Sequence, residues 1–456
     1  MKAFVLTATA LLVATTSFTA AAQQQPWIAD RQYGEGIGIR VGDLELHPGI
    51  AAEFGYDSNY FQRAEEENPI DTWRAVVTAS ASVSTLGPRR RMTGGTPKLT
   101  FRAGVFAAYN DFIAADSENQ DAMSDQRHLD AGANFALNVL PQGRVGVDAY
   151  GDFVRSIEPS NLADTANAWD RHSYRLGAGV IWRPGGGLFD WRWGYELRYN
   201  QFLQDAFENL NNVHHQINTR GRFRFLPKTA LIYDGAYTWI RYEEGAADST
   251  TNNDAETIRS RVGVSGLVTN RFAFMALVGW SSSFYHDTVV GTEHANYDSI
   301  NAHGEVRYFL QPQPQLQPGD ATIGLSSVAL GYVRDFNNSY LGNYYARDRV
   351  YANANYLIAG RVLLDLQAGF SHIAHPDIVL VDGGNVVVVD SFSQNRIDAQ
   401  LFGEYRFSDV FGVNSTIRYT TALEDRLIPA GLGPTGGTDN LAFQRWEAYL
   451  GARLFW

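Results

Sequence analysis

The fold is decided by residues 191–200, which read WRWGYELRYN. Apolar and aromatic residues occupy the odd positions from Trp191 to Tyr199, and mostly polar residues occupy the even positions from Arg192 to Asn200. Because successive side chains of a strand point to opposite faces, this stretch predicts a strand with one apolar and one strongly polar face. Strands of soluble proteins are typically about 5–6 residues long, whereas tilted strands of about 9–11 residues cross a bilayer. The length therefore favours a membrane strand.

The same alternation recurs along the chain from residue 44 onward, for example in 300–309 and 397–406. Short links between these runs, such as 141–143, alternate with long ones, such as 373–393 and 423–441. Short turns on one rim and long loops on the other are typical of outer-membrane barrels, in which the short turns are periplasmic. We therefore predict an all-β fold, a transmembrane antiparallel β-barrel of about 18 strands with short periplasmic turns and long extracellular loops.

The composition of the 456-residue chain agrees with a barrel and excludes several other classes. A mean hydropathy of -0.24 excludes a bundle of apolar membrane helices. The absence of cysteine excludes a disulfide scaffold and a thiolate zinc site. A net charge of -12 argues against nucleic acid as a partner. Aromatic residues make up 13% of the chain, which fits the aromatic girdles of a barrel at the two membrane interfaces.

The N-terminus has the pattern of a secretory signal peptide. Lys2 precedes an apolar run over 3–14, and three consecutive alanines ending at Ala22 supply the small residues expected before a cleavage site. We expect residues 1–22 to be the signal peptide, 23–43 a short periplasmic N-terminal segment and 44–456 the barrel. An export signal joined to a barrel pattern predicts the outer membrane of a Gram-negative bacterium as the location, with outer-membrane lipid and lipopolysaccharide as surroundings.

The last predicted strand ends on an aromatic residue. Trp446, Leu450, Leu454 and Trp456 share one face of this strand. A terminal aromatic residue on an amphipathic final strand resembles the signal by which outer-membrane barrels are delivered to their insertion machinery. We therefore expect the barrel-insertion machinery to be a partner of the chain during assembly.

The polar faces of the predicted strands supply candidates for the wall of a lumen. These residues are Arg192, Glu196, Arg198, Arg220, Arg222, Arg224, Glu305, Arg307, Asp398, Glu404 and Arg406. One interpretation is a mixed-charge pore wall that binds hydroxyl-rich solutes weakly enough to release them. The other is cross-strand ion pairing that merely allows charged groups to coexist inside a barrel.

Residues that carry catalysis or bind metals form no recognisable pattern. His372, His375 and Asp377 have a spacing that a metal could use, but they lie beside a predicted loop, and a surface cluster is the better interpretation. We therefore predict no enzyme activity, no catalytic residues, no metal site and no cofactor.

The first predicted strand carries a resemblance to a known family. Residues 42–50 read GDLELHPGI, and residues 54–61 read FGYDSNYF. This region is similar to the opening of the outer-membrane β-barrel porin type 2 family, in which a short stretch containing proline leads into G-Y-D-x-N. The resemblance implies a conduit for export of a surface polysaccharide, an exopolysaccharide or capsule, with a periplasmic polysaccharide export protein as partner.

A general or sugar-selective diffusion porin is the alternative function, since about 18 strands leave room for an aqueous lumen. A barrel enzyme and a structural or adhesive surface protein are further alternatives. The export hypothesis expects loss of surface polysaccharide when the chain is deleted. The porin hypothesis expects steady ion conductance in planar bilayers.

Overall fold

The computed structural model of the chain describes residues 38–86, 97–158, 169–185, 187–203, 208, 210–243, 254–286, 296–310, 326–339, 343–382, 385–429 and 438–456. The predicted signal peptide, residues 1–22, and residues 23–37 of the predicted periplasmic segment lie outside the described residues. At the end of that segment, the short strand β1 (Ile39–Val41) pairs antiparallel with the first strand of the barrel.

Eighteen strands form one closed antiparallel barrel, which confirms the predicted fold class. They are β2 (Leu44–Asp57), β3 (Thr72–Thr85), β4 (Leu99–Ala114), β5 (His128–Val139), β6 (Val145–Glu158), β7 (Trp169–Trp182), β8 (Phe189–Phe202), β9 (Asn212–Leu226), β10 (Thr229–Tyr242), β11 (Ala255–Thr269), β12 (Phe272–Tyr285), β13 (Tyr297–Phe309), β14 (Ser327–Asn338), β15 (Tyr344–Ile358), β16 (Val362–His375), β19 (Phe392–Arg406), β20 (Phe411–Ala422) and β23 (Phe443–Phe455). The barrel closes because β2 pairs with β23, from Gly49 opposite Phe455 to Asp57 opposite Glu447.

The links between the strands alternate in length as predicted. Two residues join β9 to β10 and two join β11 to β12, whereas residues 376–391 join β16 to β19. Two short hairpins lie within the long links on the same rim. The first consists of β17 (Ile378–Asp382) and β18 (Asn385–Val389), and the second of β21 (Leu427–Pro429) and β22 (Thr438–Asn440).

The outward face of the barrel is apolar and aromatic. On β23, Trp446 and Leu450 are 49% and 65% exposed, while Glu447 and Tyr449 between them are buried. Leu454 and Trp456 also point outward, and the Trp456 N–H donates to the Pro48 carbonyl oxygen across the barrel closure at 3.0 Å. A continuous band of exposed apolar side chains around a closed barrel requires lipid as its surroundings. The chain is therefore an outer-membrane β-barrel.

The first two long loops pack on the rim beside β2, β3 and β4. They contain the 3-10 segments Glu65–Glu67 and Ser117–Asn119 and the helix α1 (Gln120–Ser124). No helix among the described residues is long and apolar enough to cross a membrane. The Met123 side chain of α1 is fully buried in one cluster with Tyr60, Ile70 and Phe112. These loops are thus anchored by a small apolar core of their own.

Candidate functional site: the inner wall of the barrel

All eleven residues predicted to line the lumen lie on the inward face of the barrel wall. The set comprises Arg192, Glu196 and Arg198 on β8, Arg220, Arg222 and Arg224 on β9, Glu305 and Arg307 on β13, and Asp398, Glu404 and Arg406 on β19. Their neighbours along the strands point to lipid, as Trp193 and Ile217 do with 49% and 53% exposure. These eleven side chains therefore point to the interior of the barrel.

Most of these charged groups lie against an opposite charge. The Arg192 guanidinium is 2.7 Å from Asp148, two strands away, and the Arg222 guanidinium is 2.5 Å from Asp190 on the neighbouring strand. Other pairs lie two residues apart on one strand, including Arg198 with Glu196 at 2.5 Å, Arg307 with Glu305 at 2.9 Å and Arg406 with Glu404 at 2.6 Å. The local contacts of these charged residues are therefore ion pairs, as in the second of the two interpretations given for the sequence. Where such pairs are exposed to water, each contributes only about 0–1 kcal/mol.

Part of the inner wall is open to solvent. The side chain of Arg220 is 47% exposed, and those of Arg198 and Arg175 are each 35% exposed. These side chains point away from lipid, so the solvent they meet lies within the barrel. The inner surface of β7 to β9 therefore borders a water-accessible lumen.

Positive charge is in excess on the inward face from β8 to β11. Seven inward arginines stand against three inward carboxylates on these strands. The arginines are Arg192, Arg198, Arg220, Arg222, Arg224, Arg259 and Arg261, and the carboxylates are Asp190, Glu196 and Asp234. This section is basic although the whole chain has a net charge of -12.

Asp234 is the centre of this basic section. Its carboxylate lies 2.9 Å from Arg261, 3.2 Å from Arg259 and 3.4 Å from Arg220. One carboxylate cannot neutralise three guanidinium groups, so the cluster keeps a positive potential toward the lumen. Asp234, Arg259 and Arg261 were absent from the predicted set. The same period-two pattern that identified Arg220 would have found Arg259 and Arg261, because both stand on the inward face of one strand.

Some long side chains reach across a whole strand to a partner on the next one. Tyr150 of β6 donates to Glu196 of β8 at 2.5 Å, passing over Gly177 of β7. A Cβ atom at Gly177 would lie 2.3 Å from the Tyr150 ring, so only glycine leaves room for this bridge. Arg349 of β15 donates to Asp398 of β19 at 2.6 Å in the same way across β16. Such bridges join strands that share no backbone hydrogen bonds.

Inward side chains converge where the first and last strands of the barrel meet. Arg445 of β23 donates to the two carboxylate oxygens of Asp57 on β2, at 3.0 and 2.5 Å. Its guanidinium also lies 3.4 Å from Glu447, and all three residues are buried. We call these three residues the closure cluster. A buried charge is stable only when it is paired. Pairing of β2 with β23 and pairing of the three charges of this cluster therefore depend on each other.

The stretch that resembles the porin type 2 family supplies half of this closure. Asp57 also accepts from the backbone N–H of Asn59 at 3.1 Å, and the Asn59 amide donates to the carbonyl oxygen of Gln444 at 3.1 Å. The Tyr60 ring lies over the Arg445 guanidinium, 5.9 Å from ring centroid to Cζ. The residues Gly55-Tyr56-Asp57-Ser58-Asn59 therefore fasten β2 to β23. In the sequence this stretch shows only a family resemblance, because its structural role depends on strand β23 at the other end of the chain.

The histidines considered as metal ligands do not converge. His372 points outward and its Nδ1 lies 2.9 Å from Asn395 Oδ1, whereas the ring of His375 is buried and stacks on Phe392 with centroids 4.6 Å apart. Within the described ranges, no group of three or more histidine and acidic residues has the geometry to hold a metal ion.

Comparison with known proteins gives distant structural similarity. No family model and no curated protein matches the chain. Among solved structures, the chain is similar to OpdK of Pseudomonas aeruginosa crystallised with vanillate, at 10% identity and a TM-score of 0.44, covering 90% of this chain and 99% of that one. It is also similar to OccAB3 of Acinetobacter baumannii, at 10% identity and a TM-score of 0.43, covering 91% and 100%. The siderophore receptor PirA of P. aeruginosa matches at 11% identity and a TM-score of 0.42, covering 90% and 80%.

Proposed function

We propose that this chain is a diffusion porin of the outer membrane that admits small polar solutes and favours anions. The observation that carries the proposal is the solvent-exposed inward face of β7 to β9, where the Arg220 side chain is 47% exposed inside a closed barrel. Passive diffusion requires a continuous wet wall whose polar groups bind a solute only weakly, and partly exposed ion pairs provide such a wall.

The preference for anions follows from the charge excess on β8 to β11. A unit charge about 6 Å from a solute in water contributes about 0.7 kcal/mol before screening by salt, which corresponds to about a threefold change in local concentration. Asp234 neutralises one of the three arginines around it, and the positive charge that remains there gives a measurable preference for anions over cations. Sugars, which carry no charge, would pass without gaining from this excess.

Export of a polysaccharide, the function that the resemblance of residues 42–61 implies, is not the function we propose. The involvement of a periplasmic export protein and of the insertion machinery stays a prediction.

The test is the conductance and ion selectivity of the purified protein in planar bilayers. We expect stable channels whose reversal potential in a KCl gradient has the sign of anion preference. Replacing Arg259 and Arg261 together by glutamine should move the reversal potential toward that of cation preference. The matched control is Arg155→Gln, which removes an arginine paired with Asp170 on the outward face. Absence of conductance in the wild type would refute the proposal.

A further inference from the structure

Three guanidinium groups converge on one point of the inner wall, beside Asp234 on β10. Arg220 on β9 and Arg261 on β11 stand directly opposite Asp234 in the two ladders that flank it. Arg259 stands two residues away on β11, opposite Ala236, and reaches to the same carboxylate. The three arginines therefore approach one carboxylate from both of its neighbouring strands. We call Asp234 and these three arginines the Asp234 cluster.

The cluster has more positive charge than its own carboxylate can balance. Arg259 and Arg261 lie against Asp234 Oδ1, at 3.2 and 2.9 Å, whereas Arg220 lies against Oδ2 at 3.4 Å. Among the described residues, no other carboxylate is within ion-pair distance of these three guanidinium groups. Three cations and one anion leave a net charge of two positive units at this point of the wall.

Neighbouring arginines of the same basic section are balanced one by one. Arg192 lies 2.7 Å from Asp148, and Arg198 and Arg222 each lie 2.5 Å from a carboxylate of their own. Each of these pairs is neutral as a unit, so none of them adds to the positive charge. The net charge at the Asp234 cluster is therefore a local feature of β9 to β11.

The cluster also has more hydrogen-bond donors than acceptors, and two of its members are open to the lumen. The Nε atoms of Arg259 and Arg261 are buried without a hydrogen-bond partner among the described residues, although buried polar atoms are nearly always paired. The side chains of Arg220 and Arg259 are 47% and 34% exposed, whereas those of Asp234 and Arg261 are 10% and 11% exposed. A solute in the lumen therefore meets the guanidinium groups of Arg220 and Arg259 first.

We propose that the Asp234 cluster is a binding site for a phosphate dianion and that Asp234 sets how readily the phosphate is released. The planar fork of a guanidinium group matches phosphate oxygens. A phosphate group carries close to two negative charges above its second pKa of about 6, which balances the net charge of the cluster. A dicarboxylate carries the same charge on two separate groups, which a single convergent site does not match. The inference rests on the proposed porin function, because phosphate reaches the cluster through the lumen.

Asp234 competes with the phosphate for the same guanidinium groups. Its carboxylate holds them toward one point, and it also removes one unit of positive charge. A unit charge about 6 Å away in water changes the affinity for a monoanion about threefold and for a dianion about tenfold, before screening by salt. Asp234 therefore makes phosphate binding weak enough for passage through the lumen.

The test is equilibrium dialysis of the purified, folded barrel in detergent against radiolabelled inorganic phosphate, at about pH 8 and about 0.1 M KCl. We expect Asp234→Asn to bind phosphate up to about tenfold more tightly than the wild type, and Arg220→Gln to bind it up to about tenfold more weakly. The matched control is Asp152→Asn, which removes a carboxylate 2.5 Å from Arg175 on β7. Asp152 is on β6, four strands from β10 and thus roughly 19 Å away along the wall, which exceeds the screening length of about 10 Å. This control should keep the affinity of the wild type to within about twofold.

Equal phosphate affinity of the wild type, Asp234→Asn and Arg220→Gln would overturn the proposal. An equal gain in Asp234→Asn and Asp152→Asn would also overturn it, because charge anywhere on the wall would then suffice. Arg220→Gln changes a half-exposed side chain, so it tests the site even if Asp234→Asn does not fold. The binding assay needs no conductance, so the two proposals fail separately. A barrel that binds phosphate but does not conduct refutes only the porin function, and a conducting barrel that binds no phosphate refutes only this site.

The chemistry of the occupant is tested by competition against the labelled phosphate. Acetate, a monoanion, and succinate, a dicarboxylate, should each compete at least about threefold more weakly than unlabelled phosphate. Competition by succinate as strong as that by phosphate would overturn the assignment of a compact dianion. Glycerol 3-phosphate distinguishes the source of the phosphate group. Competition equal to that of inorganic phosphate indicates that phosphomonoesters are also bound, and weaker competition indicates free phosphate as the occupant.

Discussion

Replacing Arg445 by methionine should destabilise the barrel more than any exposed arginine replacement. Methionine has a similar length but no charge, so Asp57 would be left without its guanidinium partner, and Glu447 would keep the more distant guanidinium of Arg418, 3.7 Å away. Asp57 is 0% exposed, and Arg445 and Glu447 are each 4% exposed, so water cannot take the place of that partner. Breaking a buried ion pair by removing one member costs about 3–5 kcal/mol. We expect Arg445→Met to lower the free energy of unfolding by that amount.

The matched control is Arg127→Met. Arg127 lies 2.5 Å from Asp111, but the two side chains are 47% and 36% exposed, so the pair should contribute less than about 1 kcal/mol. The assay is unfolding in denaturant, followed by tryptophan fluorescence and by the mobility of the folded barrel on unheated gels. Adding Asp57→Asn to Arg445→Met should restore part of the loss, because one buried charge is removed. If both arginine variants unfold at the same denaturant concentration, the closure cluster does not stabilise the barrel as described.

Three further changes address other parts of the molecule. Gly177→Val should displace the Tyr150 ring and break its hydrogen bond to Glu196, lowering the free energy of unfolding by about 1–2 kcal/mol in the same assay. The control is Gly304→Val on β13, a strand glycine at which an added Cβ atom would meet nothing within 4 Å. Met123→Asp should open the apolar core of the first two long loops. We expect faster tryptic cleavage within these loops and an unchanged midpoint of unfolding, and cleavage as slow as in the wild type would contradict this prediction. Trp456→Ala should reduce the amount of barrel inserted in cells without changing the stability of the purified protein, and normal insertion would count against an assembly signal at this terminus.

The direction of each strand residue could be predicted from the sequence, because the alternation of side chains is a local property of an extended backbone. The eleven lumen candidates therefore all lie on the inward face, and Trp446, Leu450, Leu454 and Trp456 all lie on the lipid face. The closed barrel and its alternating links could also be predicted from the sequence, because the lengths of the strands and of the loops are visible in it.

The partners of the inward charges could not be predicted in the same way. Asp57 and Arg445 are 388 positions apart, and they meet only because the closure of the barrel places β2 beside β23. The bond from Arg349 to Asp398 likewise depends on the register of two ladders, with a glycine at the crossing point. Register is a relation between strands, so no pattern within one strand contains it.

The sequence by itself thus determined the class of the protein, the face of each side chain and the location in the outer membrane, because period, length and polarity belong to individual segments. Only the tertiary structure decided which charges are buried together at Arg445, which three arginines share Asp234, and where the ladder between β13 and β14 ends. The physical reason is that charge compensation and ladder length depend on which strand lies next to which and in what register. Those are properties of the closed sheet as a whole.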